Sequence, residues 1–154
     1  MSKIDVEKYL VSKPAYEVIP DFEVEGRIGP AMTLLSNNLI ADTNNYVEVG
    51  WILSMPNPNP CIGEHVHEYD EIVMHIGIDP NDPEDLGAEI IFYLDGQPLT
   101  INRTSTVFVP KGVKHGPLVW KRVDRPHLEM TIMLGAGSLM EADPGGHKAR
   151  EGKK

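Results

Sequence analysis

From Tyr46 to Leu134 the chain is a succession of short apolar stretches rich in β-branched and aromatic residues, each ended by a turn signal. "YVEVGWILSM" gives way to "PNPNPCIG", where Pro56, Pro58 and Pro60 have no amide hydrogen to offer a ladder. "EIVMHIGI" (71–78) is followed by the acidic loop "DPNDPEDLG" (79–87). "AEIIFYL" (88–94) is followed by "DGQP", with Asp-Gly at the centre of a hairpin turn. "LTINRT", "STVFVP", "PLVWKRV" and "HLEMTIML" continue the series. Short strands at a spacing of about 8–12 residues predict an all-β sandwich or barrel of antiparallel strands.

The flanks read differently. "KIDVEKYLVSK" predicts a short helix before Pro14, and "EVEGRIGPAMTLLS" a strand and turn. "ADPGGHKAREGKK" has no apolar periodicity and is expected to be unstructured. The 154 residues therefore divide into an N-terminal extension (1–45), one β domain (46–140) and a disordered tail (141–154).

Charge and cysteine content narrow the function. A net charge of −9 argues against a nucleic-acid partner. The basic cluster Lys148, Arg150, Lys153 and Lys154, with His147 beside it, falls in the tail and reads as a solvated end. No stretch approaches the roughly 20 apolar residues of a membrane span, and the opening residues do not resemble a signal peptide. A single cysteine, Cys61, allows no internal disulfide, so a reducing cytoplasm is expected.

The chemistry concentrates in "CIGEHVHEYDEIVMHIG" (61–77). In an extended chain residues i and i+2 point to one face, so His65 and His67 can each place a nitrogen about 2.1 Å from one ion. If "EYD" turns the chain back, Glu71 adds a carboxylate oxygen. A fourth ligand must come from elsewhere, and His115 in "VFVPKGVKHGP" follows a turn that can bring it opposite the pair. His75 shares the parity of Glu71 but lies about 13 Å further along a strand. That is too far for the same ion, and it reads as a pocket or core residue. His127 and Glu129 are expected to face solvent or an interface. The loop 79–87 lacks the ligand spacing of a calcium loop and reads as solvated.

Residues 63–77, "GEHVHEYDEIVMHIG", resemble the first cupin motif, and "PKGVKH" (110–115) resembles the core of the second, P-x-G-x-x-H. The resemblance covers roughly residues 46–134. The sequence departs from the pattern in having Gly63 only two residues before His65, and in Leu118 and Val119 where the second motif often carries an asparagine. Resemblance to the cupin (RmlC-like) family implies a small antiparallel β-barrel of jelly-roll type, a 3-His-1-Glu metal site and frequent homodimerisation. The ligands carry over to His65, His67, Glu71 and His115.

Imidazoles with one carboxylate suit Fe(II) or Mn(II) first, and Zn(II) or Ni(II) close behind, at one ion per chain. Such a site keeps coordination positions open for a small oxygenated substrate such as a hydroxy acid, enol or catechol. The leading expectation is a dioxygenase. The same site serves an O₂-independent lyase, isomerase or decarboxylase, or a non-catalytic ligand-binding module. Lys111 and Lys114 flank the second motif and read first as solvated surface lysines, and second as groups that attract a carboxylate. Tyr69 and Lys114 are the candidate catalytic groups, and Trp51, Tyr93 and Trp120 line either the pocket or the core.

Overall fold

The computed structural model describes residues 2–17 and 23–146. Among the described residues nine strands carry the fold: β1 (Glu25–Arg27), β2 (Met32–Leu35), β3 (Asn45–Asn57), β4 (Asp70–Gly77), β5 (Asp85–Leu94), β6 (Gln97–Arg103), β7 (Ser105–Val109), β8 (His115–Val123) and β9 (His127–Leu134). Six form one sheet, in the order β1-β3-β9-β4-β7 with β2 also on β3, and three form the other, β6-β5-β8. Every pairing is antiparallel. The sheets face one another as a cupin-type jelly roll, and among the described residues no continuous ladder closes them into a barrel.

Local chemistry accounts for the elements. Asp95 and Gly96 both adopt positive φ (48° and 72°), the hairpin geometry that Asp-Gly favours, and join β5 to β6. β3 runs through Pro56 to Asn57, further than the prolines suggest. Its ladder with β9 ends at Ile52, so the distal half is met only by the short β1, and a missing N–H is tolerated there. The helix expected before Pro14 is one 3-10 turn, Val6–Tyr9, capped by Asp5. None of its residues is buried, and so short a helix has no packing to extend it.

The core between the sheets joins Ile52 and Val73 of the larger sheet to Leu86, Ile90, Phe92, Leu118 and Trp120 of the smaller, all buried. The larger sheet's register sets its inward side chains in rows. Glu71 lies beside Met133 and Tyr46, then Val73 beside Thr131 and Glu48, then His75 beside Glu129 and Gly50. His127 and Glu129, expected at solvent or an interface, are therefore interior and buried. Alternation along "HLEMTIML" gives two faces, but the polar one is turned inward.

The chain after β9 departs from the disordered tail expected from 141. Ser138 caps a short helix, α1 (Leu139–Ala142), by accepting from the Glu141 amide. Ala142 is fully buried in a second cluster with Tyr46, Tyr69, Met133 and Ala136. His147 and the basic residues after it lie outside the described residues. Among the described residues no helix is long and apolar enough to cross a membrane.

Candidate metal centre

His65, His67, Glu71 and His115 come together, with one donor atom from each within 4.8 Å of the others and all four side chains buried. Among the described residues no other group of three or more His, Cys, Asp or Glu gathers in this way. The gathering follows from backbone hydrogen bonds. The segment of His65 is not a full strand but a single antiparallel bridge to His115, closed by amide–carbonyl bonds of 2.9 Å in both directions. The Gly112 amide donates to the His67 carbonyl (2.9 Å), tying the second motif's turn to the first. Gly116 adopts a φ of +84°, and a Cβ there would stand 2.3 Å from the Gly63 carbonyl oxygen. A glycine is needed for the two motifs to lie this close.

Two of the imidazoles are oriented by main-chain carbonyls. His65 Nδ1 lies 2.8 Å from the Gly63 oxygen and His115 Nδ1 lies 3.0 Å from the Val113 oxygen. A carbonyl only accepts, so Nδ1 carries a hydrogen in both rings, which leaves Nε2 as the nitrogen that a metal ion would take. His67 stacks on Tyr69, with ring centroids 4.6 Å apart and planes 14° from parallel. The Tyr69 hydroxyl donates to the Ala142 carbonyl.

Glu71 Oε2 lies 2.9 Å from His115 Nε2 and 3.5 Å from His67 Nε2. Two donors each about 2.1 Å from one ion stand about 3.0 Å apart at a right angle and about 3.4 Å at the tetrahedral angle. These two separations, and the donor chemistry of the four residues, fit a single transition-metal ion. Burial pushes the Glu71 carboxyl up, the His115 ring opposes this, and the charge of Glu129 adds to the rise. A carboxylate so enclosed is costly without a countercharge, which a divalent cation supplies.

A cavity of about 470 Å³ opens on the outer side, against His65, His67, Tyr69 and Lys114. Lys114 is exposed at its rim with Nζ 4.0 Å from Glu64 Oε1, and Lys111 is also exposed. Tyr69, the candidate catalytic group within "EYD", is buried, and its burial beside Glu71 raises its phenol well above the usual range. Trp120 is core, its indole N–H donating to His127 Nε2 at 3.3 Å, whereas Trp51 and Tyr93 are half-buried. His75, 6.3 Å by centroid from Trp120, has no part in the ligand group.

The sequence reading missed Gly146, which packs so closely on His65 that a Cβ would lie 2.3 Å from the His65 Cβ. It also missed Arg27, whose guanidinium lies 2.9 Å from Glu129 Oε1 and 3.8 Å from the Cys61 sulfur. Arg27 comes from the extension, where no periodicity marks it as interior. Gly50 in β3 leaves the room: a Cβ there would be 3.3 Å from the Arg27 Nη2.

No family model matches the sequence, and no curated protein matches it. Solved structures do. The polyketide cyclase RemF from Streptomyces resistomycificus superposes with a TM-score of 0.51 at 10% identity, over 86% of this chain and 78% of that one. A predicted oxalate decarboxylase from Thermotoga maritima gives 0.49 at 15% identity, over 79% and 90%. An RmlC-like cupin from Shewanella frigidimarina gives 0.45 at 14% identity, over 80% and 94%. At these identities the likeness is one of fold.

Proposed function

We propose that this protein of cupin fold is a metal-dependent enzyme acting on a small oxygenated organic substrate. The observation that carries the reading is the convergence of His65, His67, Glu71 and His115 within 4.8 Å, two of the rings already oriented by carbonyls. Nε2 of each histidine and a carboxylate oxygen of Glu71 would hold one divalent ion. That ion would supply a Lewis-acidic centre with open coordination positions.

The chain's own residues divide the remaining work. His65 and His115 keep fixed tautomers through their carbonyl partners, and Tyr69 holds the His67 ring in place. Lys114 stands at the rim of the outer cavity, among the described residues the one cation beside the carboxylates of Glu64, Glu68, Glu141 and Asp143 that line it. Gly146 and α1 cover part of that side and limit water. Fe(II) or Mn(II) suits the three imidazoles and one carboxylate, and a dioxygenase is the reaction we favour within the class. A cytoplasmic place goes with this reading, since Fe(II) and the buried Cys61 thiol both persist under reducing conditions.

The test is elemental analysis of protein purified without added metal, beside the His67→Ala variant. About one metal per chain is expected, lost or greatly reduced in the variant, which lacks one of the four ligands. Equal metal in both ends the proposal. Oxygen uptake with Fe(II) and a panel of catechols, enols and hydroxy acids then tests the reaction. Turnover without oxygen moves the assignment to a lyase, isomerase or decarboxylase, and binding without turnover to a ligand-binding module.

We further propose a homodimer through the outer face of the larger sheet. That face presents Ile72, Met74, Leu128, Met130, Ile132 and Phe108 side by side, with Phe108 53% exposed. Among the described residues no helix covers this apolar face, and a face of this kind marks an interface.

A further inference from the structure

Residues 2–10 are exposed throughout, although Ile4, Val6, Tyr9 and Leu10 are large and apolar. Ile4 is 71% exposed, Val6 70%, Leu10 71% and Tyr9 50%. In a 3-10 turn residues three apart stand on one side, so Val6 and Tyr9 of the turn Val6–Tyr9 point together. Asp5 caps that turn by accepting from the Glu7 amide, and Lys8 Nζ lies 3.1 Å from Asp42 and 4.8 Å above the Tyr9 ring. Polar contacts thus shape and place the arm while its apolar side chains meet water. Single exposed apolar residues are ordinary, but a run of them marks a contact surface.

The root of the arm is fixed beside the larger sheet. Ala15 and Thr33 exchange both backbone hydrogen bonds, at 3.0 and 2.7 Å, and Thr33 belongs to β2, which pairs with β3. From that anchor residues 2–14 can span about 40 Å. The outer face of the same sheet has the matching need. Ile72, Met74, Leu128, Met130, Ile132 and Phe108 lie together on it, and no charged side chain stands among them. The side-chain charges of the arm cancel, Lys3 and Lys8 against Asp5 and Glu7. The arm can therefore lie on an apolar surface without adding to the repulsion between copies of a chain of net charge −9.

We propose that residues 4–10 of one copy lie across the outer face of the larger sheet of a second copy, with Val6, Tyr9 and Leu10 against Ile72, Met74 and Phe108. The inference rests on the homodimer through that face and names the segment that seals it. In the single chain both surfaces are left open, and each copy of a two-fold pair has one arm to give and one face to receive. The three aliphatic side chains and half of the Tyr9 ring offer roughly 300 Å² of apolar surface. Each arm covers about as much again on the face it meets, so two exchanged arms bury on the order of 1,200 Å², enough for a stable pair.

The test uses the full chain and the double variant Val6→Asp, Leu10→Asp, whose substituted side chains are exposed in their own chain. Circular dichroism should show its strands intact. Light scattering after size exclusion should show wild type at two chain masses and the variant's self-association at least about tenfold weaker. The variant is then mixed with Phe108→Asp, which keeps the arm and has lost the face. The mixed pair holds one intact arm on one intact face, so a two-chain species is expected that neither variant forms alone. A wild type at one chain mass ends the homodimer reading and this inference together. An arm variant as dimeric as wild type, with Phe108→Asp at one chain mass, leaves the homodimer standing and overturns the arm exchange alone. A mixture no heavier than its two components also overturns it.

Discussion

The two sheets are built on opposite plans. The three-stranded sheet turns Leu86, Ala88, Ile90, Phe92, Leu118 and Trp120 inward and puts Glu89, Tyr93 and Lys121 outside, as an ordinary half-solvated sheet does. The six-stranded sheet reverses this. Glu71, His75, His127, Glu129 and Thr131 are buried inside, while Ile72, Met74, Leu128, Met130 and Ile132 are left partly exposed outside. One sheet supplies hydrophobic packing. The other spends its inner face on polar groups and needs cover for its outer one.

The largest expected effects test that division directly. Phe92→Ala on the smaller sheet should lose about 3–5 kcal/mol of stability through the cavity it leaves. Glu129→Gln on the larger sheet should cost a comparable amount, about 3–5 kcal/mol, for the opposite reason: it strands the Arg27 guanidinium without its countercharge. The two separate in the double variant Arg27→Met, Glu129→Leu. Removing both charges should return most of the loss, about neutral against wild type. Chemical denaturation of the four proteins reads this, and a double variant as unstable as Glu129→Gln would show that the pair itself holds the sheet.

The outer face is tested next. Phe108→Asp sets a charge at the β7 edge of the proposed interface, beside Ile72, without touching the interior. Light scattering after size exclusion should show wild type at twice the chain mass and the variant at one chain mass. A substitution such as Lys121→Glu, at an exposed position of the smaller sheet, should leave the mass unchanged. A wild type that runs as a single chain would leave the apolar face without its proposed partner.

The sequence made the strands legible because their breakers are strong: Asp95-Gly96, Lys111-Gly112 and the prolines from 56 to 60 all fall at or beside observed ends. It also made the four-residue group legible, since two of its members are adjacent in an extended chain and the others follow turns. What it could not supply was orientation. Period-two alternation in β9 separates His127, Glu129 and Thr131 from Leu128, Met130 and Ile132, yet the usual rule sends the polar set outward. Here the inward choice is stabilised by Arg27, and that residue arrives from an extension whose strands are three and four residues long. Ala142 and Gly146 were hidden likewise, because a few small residues after the last strand carry no pattern that shows they pack on Tyr69 and His65.

The smallest effect is a pH dependence that arises from the buried groups of the larger sheet. Burial lowers His127 from its ordinary 6.5 to about 4, and lowers His75 as well, with each ring's neighbours adding to or opposing this less strongly. Between those values the unfolded chain binds protons that the folded chain refuses, so stability is full above about 6.5 and is lost as the pH falls toward 4. Glu48 works the other way. Its folded carboxyl, raised to about 7, holds a proton that the unfolded chain releases above its ordinary 4.5, so acidification over that interval stabilises. The two partly cancel in wild type. Glu48→Gln removes the opposing half, and its melting temperature should fall more steeply than that of wild type from pH 6.5 to 5. Phe92→Leu, on a strand with no buried titrating side chain, should shift the whole curve and keep its slope. Parallel curves for wild type and Glu48→Gln would mean that the inner face of the larger sheet does not exchange protons as its burial requires.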